Sequence, residues 1–306
     1  MIRSTAAEYL LVRRALGYKL VNHEWLISDF LDTLEQNQAQ KITVSAALAW
    51  ACRPQPGSPN WHKSRLTVIR SLAAYIHTSA PEGADLIPEG LITAPSRRTN
   101  PYLYSTEEIH ALIQQAHTLK PAVRAETMAT IIGLMASTGM RVSEALGLDR
   151  DSLDAKNLAL TVTGKGGALR LLPVQATTIT ALQRYIATSR KLVPTRTDAL
   201  FVNLKGTRPL RNNIEKAFRV ITADYQWAPG PGRREPRLHD LRHTFAVNSL
   251  MDAHLDGTGV EARIAALAAY LGHVNPHSTY WYLSASPELL QIVNDRVQEW
   301  IEGHTP

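Results

Sequence analysis

Six side chains of the kinds that bind anions or move protons stand out in the sequence: Arg141, Lys165, His239, Arg242, His273 and Tyr282. Arg141 precedes Glu144 by three residues, the spacing of an ordinary surface ion pair on a helix. At a helix start, however, the macrodipole opposes a cation by about 0.3–1 kcal/mol, and an anion arriving there removes the conflict. Lys165 lies in Gly164-Lys165-Gly166-Gly167 and is by itself an exposed loop lysine. In His239-Asp240-Leu241-Arg242-His243, His239 and Arg242 share a helical face at i, i+3, which suits an anion site or a capping histidine beside a buried ion pair. His273 after Gly272 reads as a helix-terminal histidine, and Tyr282 in Tyr280-Trp281-Tyr282 as aromatic core. Two guanidiniums offer forked donors to phosphate oxygens, so the chemistry open to this set is work on an anionic, phosphate-like group.

Periodicity and punctuation indicate the elements that must hold these residues. From Ser4 to about Thr78 the pattern is helical, with Val44 to Cys52 and Leu66 to Ile76 separated by a break at Pro54–Pro59, which predicts a bundle of four or five helices. Pro81, Pro88, Pro95 and Ser96-Arg97-Arg98-Thr99-Asn100-Pro101 punctuate a stretch without periodicity. The expected division is a helical domain over 1–96, a linker over 97–104 and a second domain over 105–306. Ser105 before Thr106-Glu107-Glu108 is a helix cap. A helix from about Val123 to Ser137 should stop at Gly139, with a new one opening at Met140-Arg141. Two β-rich runs, Leu158 to Thr163 and Ala168 to Leu172, flank the glycine-rich loop and predict a hairpin with Lys165 at its tip. A polar turn over Asp149–Asn157, a short strand at Leu200 to Val202 and a Pro/Gly loop from Pro229 to Pro236 complete the reading.

The 306 residues, 44% hydrophobic and 20% charged, are ordinary for a globular chain of two domains. The net charge is +6, but between Arg184 and Arg242 there are 13 basic and 5 acidic side chains, a local excess that fits a polyanion partner or a solvated face. The single Cys52 excludes an internal disulfide framework and a thiolate metal cluster. There is no His-Glu-x-x-His, and His239/His243 at i, i+4 lack an evident third metal ligand. The Gly164–Gly167 loop lacks the upstream glycine of a P-loop and lies between strands instead of before a helix. No secretory signal is evident, and Val44 to Cys52 is far below the ~20 residues that span a bilayer, so a soluble cytoplasmic protein is expected.

Order and spacing together are more specific than any single residue. Ser137-Thr138-Gly139-Met140-Arg141-Val142-Ser143-Glu144-Ala145-Leu146, the hairpin lysine, Leu238-His239-Asp240-Leu241-Arg242-His243-Thr244-Phe245-Ala246, and Leu271-Gly272-His273 with Tyr282 nine residues later resemble the tyrosine recombinase (phage integrase) family. The resemblance implies a mainly α fold with a small β component. An N-terminal helical, SAM-like core-binding domain would precede a mixed α/β catalytic domain. It implies a catalytic set of Arg141, Lys165, His239, Arg242, His273 and Tyr282 with Glu144 behind it. Tyr282 would attack a DNA phosphate to form a 3′-phosphotyrosine, His239 would take the phenol proton, and Lys165 would protonate the leaving 5′-oxygen. Arg141 and Arg242 would hold the non-bridging oxygens, helped by His273.

No nucleotide cofactor and no metal are implied. The partners implied are double-stranded DNA with inverted half-sites and further copies of the chain, as a tetramer on two DNA sites. Integration or transposition of a mobile element is the expected role. The alternatives are a type IB topoisomerase-like enzyme or a Xer-like chromosome or plasmid resolution recombinase. Two departures from the family pattern are a long Arg242–His273 interval, with Asp252 to Thr258 as the expected insertion, and the aromatic Ser278-Thr279-Tyr280-Trp281. Ser286-Pro287 opens a last apolar stripe, Leu289, Leu290, Val293, Val297, Trp300 and Ile301, that either folds back on its own domain or docks in a neighbouring protomer.

Overall fold

The computed structural model describes residues 2–53, 57–95, 101–223, 225, 235–255, 260–272 and 280. The chain divides into two compact units, Met1–Arg98 and Thr99–Pro306. The described residues are mainly helical with one small sheet.

Unit one contains α1 (Ile2–Ala15), α2 (Val21–Gln36), α3 (Val44–Cys52) and α4 (Pro59–Ser79). Ser58 caps α4 by accepting from the Trp61 N–H at 3.2 Å, and Pro59 occupies the first turn, where its missing N–H has no helical partner to lose. Phe30, Ile42, Ala47, Trp50, Ile69 and Leu72 fill the core. The proline-punctuated segment after α4 is not wholly free of this core. Ala84 and Ile87 are buried in it, and the Ile87 carbonyl accepts from Arg70 Nε at 3.1 Å.

In unit two, α5 (Thr106–His117) carries the expected cap, a reciprocal pair in which the Glu108 N–H donates to Ser105 Oγ and the Ser105 N–H to the Glu108 carboxylate. Tyr102 and Tyr104, just ahead of it, are buried in the core of this unit. The next helix, α6 (Ala122–Thr138), is apolar on most of its circumference and central to the core, burying Met128, Ile131, Ile132, Leu134 and Met135. After α7 (Val142–Gly147) come β1 (Leu153–Asp154), β2 (Ala159–Thr163) and β3 (Leu169–Pro173), an antiparallel sheet in that order with Leu160 opposite Leu172. Strand β1 lies inside the stretch expected to be only a turn. The hairpin joins β2 to β3 through a 3-10 turn at Lys165–Gly167.

The remaining helices are α8 (Ala176–Ala187), α9 (Arg211–Thr222), α10 (Asp240–Leu255) and α11 (Val260–Leu271). Leu200 to Val202, expected as a strand, is instead a buried segment bent at Leu200 and Phe201. It follows an isolated bridge between Asp149 and Ala199, made by 2.9 Å bonds from the Leu200 N–H to the Leu148 carbonyl and from the Arg150 N–H to the Asp198 carbonyl. Helix α10 runs through Asp252 to Leu255, the first part of the expected insertion, and 256–259 lie outside the described residues. Among the described residues no helix is long and apolar enough to cross a membrane.

Candidate active site

The site is built where α6 ends. Gly139 closes that helix at φ 62°, a left-handed conformation that suits glycine, and a Cβ there would lie 2.4 Å from Phe245 Cδ1 and 3.0 Å from Leu271 Cδ2. The tight turn lets α10 and α11 approach and presents Arg141 directly before α7. Arg141 has extended backbone (φ −72°, ψ 149°) and occupies the N-cap position, not one or two residues inside the helix as the sequence had implied.

Three residues on, Glu144 is a carboxylate shared among arginines and only 4% exposed. Its Oε1 accepts from Arg141 Nη1 at 2.8 Å and Arg170 Nη1 at 3.1 Å. Its Oε2 accepts from the Arg141 backbone N–H and from Arg170 Nη2, both at 2.9 Å. Arg242 Nη1 lies 4.0 Å from the same oxygen. Burial works to raise the Glu144 carboxyl, but the bonds from Arg170 and Arg141 outweigh it and hold the group below the ordinary carboxylate value.

Arg242, on the first turn of α10, is 1% exposed. Its Nη1 donates to the Gly139 carbonyl at 2.9 Å and its Nη2 to the Leu271 carbonyl at 2.8 Å. These carbonyls end α6 and α11, where the backbone leaves acceptors unpaired and the dipole favours a cation. The guanidinium is thus fixed in place by main-chain atoms.

His239 directly precedes α10 and is half-buried, its ring edge-on to His243 at 5.0 Å between centroids. Burial first, then Arg242, Arg237, Arg141 and Arg211, pushes its imidazole down to about 4. It is therefore neutral at pH 7, the form that accepts a proton. Beside it Asp240 is fully buried and accepts from the Arg237 N–H at 2.8 Å, and burial pushes its carboxyl up to about 6. A cleft of ≈ 720 Å³ opens next to His239, walled by Val142, Phe218, the cationic Arg211, Arg219 and Arg237, and the acidic Glu215 and Glu235.

The structure therefore brings Arg141, Glu144, His239 and Arg242 to one region. The Lys165 backbone lies in the hairpin turn whose strand β3 carries Arg170. His273 and Tyr282 lie outside the described residues, as does the terminal stripe from Leu289, while α11 ends two residues before His273. Tyr280 is exposed. Arg170 was missed by the sequence reading. Its signal was strand alternation: with Leu172 in the core, period two puts Arg170 on the same inward side, and Leu169 and Leu171 are each 70% exposed.

The pattern of the phage integrase family matches residues 103–288. The chain belongs to the phage integrase family. Over 99% of its length, and 99% of the relative's, this phage integrase is 33% identical to y4rB of Sinorhizobium fredii, whose name describes an integrase/recombinase. It is 28% identical to the tyrosine recombinase XerD of Mycobacterium tuberculosis over 87% of this chain and 79% of that one. Its fold matches the Tn1549 transposon integrase, solved with transposon right-end DNA, with a TM-score of 0.63 at 19% identity over 97% of this chain and 99% of the other. This phage integrase is thus a tyrosine recombinase, an enzyme of site-specific DNA cleavage and rejoining.

Proposed function

We propose that the enzyme exchanges DNA strands for a mobile element, in the cytoplasm, through a 3′-phosphotyrosine formed on Tyr282. The carrying observation is the Glu144 carboxylate shared by Arg141 and Arg170, with the fixed Arg242 beside it and a neutral His239 at a cleft lined by three arginines and two glutamates. In the proposed reaction Tyr282 Oη bonds to the scissile phosphorus as the bond from phosphorus to O5′ breaks. His239 accepts the phenol proton, and Lys165 gives a proton to the departing O5′. Arg141 and Arg242 donate to the non-bridging oxygens, whose charge grows in the five-coordinate transition state, and His273 adds a further bond. Rejoining reverses each step, and the phosphotyrosine conserves the bond energy, so neither ATP nor a metal enters.

Residues 1–96 are assigned to grip the DNA as a core-binding domain, and 105–306 to cut it. One protomer on each inverted half-site, and four on two duplexes, match the two cuts that each exchanged duplex requires. The likenesses to an integrase/recombinase and to a transposon integrase support the mobile-element role.

The test is a set of nicked duplexes carrying inverted repeats sought by sequencing the DNA beside the gene, incubated with the enzyme in EDTA without ATP. A covalent protein–DNA adduct is expected, lost in Tyr282→Phe and kept in Tyr280→Phe. An adduct that survives Tyr282→Phe refutes the nucleophile.

A further inference from the structure

Arg170 has no part in the reaction as set out above, yet its guanidinium joins three separate pieces of the site. Nη1 and Nη2 fork onto the two oxygens of Glu144 at 3.1 and 2.9 Å, and Nε donates to the Tyr270 carbonyl near the end of α11 at 3.1 Å. Two glycines lie beside it, and of these Gly272 makes room for it. A Cβ on Gly164, the residue directly before Lys165, would lie 3.4 Å from Nη1, and one on Gly272, directly before His273, would lie 3.0 Å from it. The side chain is 16% exposed, against 32% for Arg141, and it projects inward from a strand whose neighbouring leucines point out.

We infer that Arg170 is a positioning residue that locks the Lys165 hairpin to the Glu144 cluster and to the end of α11. The inference rests on the assignment of Lys165 as the acid that protonates O5′. Leu160, Val162 and Leu172 seat the strands of the hairpin in the core, but the glycine-rich turn beyond them has little of its own to fix its angle to the rest of the domain. A planar fork with a third donor holds that angle, whereas a lysine ammonium keeps the charge and loses the fork. Without the lock Lys165 loses its station, and the defect appears in the step that needs its proton.

The experiment compares wild type, Lys165→Ala, Arg170→Ala and the milder Arg170→Lys in single-turnover cleavage of duplexes with oxygen or sulfur at the bridging 5′ position. A thiolate, with a conjugate-acid pKa near 8.5, leaves without a proton. On oxygen, both Arg170 variants are expected to cleave about 100-fold more slowly, the scale of a displaced acid. On sulfur, all three variants should return to within about tenfold of wild type. A loosened fold would slow both substrates alike, so full persistence of the Arg170 defects on sulfur, with Lys165→Ala rescued, overturns the inference.

Lack of rescue in Lys165→Ala itself removes the acid assignment instead. The lock is then judged by amide hydrogen exchange. The amides of 164–168 should exchange at least tenfold faster in both Arg170 variants, while those of α6 keep their protection and report an intact fold. Unchanged exchange in the hairpin overturns the inference whatever Lys165 does.

Discussion

Glu144→Gln keeps the shape of the side chain and removes the negative charge that Arg141 and Arg170 share. In the wild type that carboxylate accepts bonds of 2.8, 2.9, 3.1 and 2.9 Å from Arg141 and Arg170. The amide must turn an NH2 toward a guanidinium donor on one of its two sides. Removing one partner of a buried ionic cluster costs about 3–5 kcal/mol. Arg141 is about a third exposed and can turn to water, and Arg242 keeps its two carbonyl partners, so the lower end, about 3 kcal/mol, is expected. For a domain of this size that loss lowers Tm by roughly 6–12 °C.

The pH dependence is the sharper part. Burial pushes the folded carboxyl up, but its arginine bonds hold it below the ordinary 4.5. Its contribution is therefore fully present above 4.5 and is lost as pH falls through the depressed folded value, where both states become protonated. Urea denaturation of wild type and Glu144→Gln should show the full gap at pH 7 and a shrinking gap below pH 4.5. A gap that is flat with pH, or under about 1 kcal/mol at pH 7, refutes the reading of Glu144 as the shared counter-ion.

Gly139→Ala should lose about 2–4 kcal/mol in calorimetric stability, since its Cβ would meet Phe245 at 2.4 Å on a left-handed backbone; a loss under about 1 kcal/mol means that the α6 turn is not constrained as described. In an NMR titration of the free protein the His239 ring should protonate with a midpoint near 4, and a midpoint near 6.5 would show that burial and the surrounding arginines do not act on it. DNA binding should weaken steeply with salt, and Arg219→Ala should reduce the slope of log K against log salt by about 1; a slope that does not change removes Arg219 from the phosphate contacts.

Much of this was legible because the signals were local. Ser105 with Glu108 and Gly139 after α6 each decide a helix end through their own backbone or first-turn bonds, and the structure shows both. The hairpin was legible for the same reason, its turn glycines lying between two β-rich runs. Leu200 to Val202 misled because a buried apolar run looks the same whether or not a neighbouring chain supplies a ladder, and here the adjoining Ala199 makes an isolated bridge with Asp149 instead. Arg170 escaped notice because its partners are distant in sequence: Glu144 lies 26 positions away and Tyr270 lies 100. Only the chain's tertiary path brings them together. The long reach of Arg242 to Gly139 and Leu271 is of the same kind, which is why its motif gave its identity and the structure its geometry.

Among the described residues, Arg141 and Arg170 share the Glu144 carboxylate, and Arg242 Nη1 lies 4.0 Å from it. Arg242 is held by the terminal carbonyls of two helices, which fix its direction, and Arg141 is left partly open to solvent. Donors held in this way need not reorganise when charge develops on a phosphate. In the proposed reaction a DNA phosphate would meet these donors beside Glu144, and a ligand that binds only the folded form also stabilises that form.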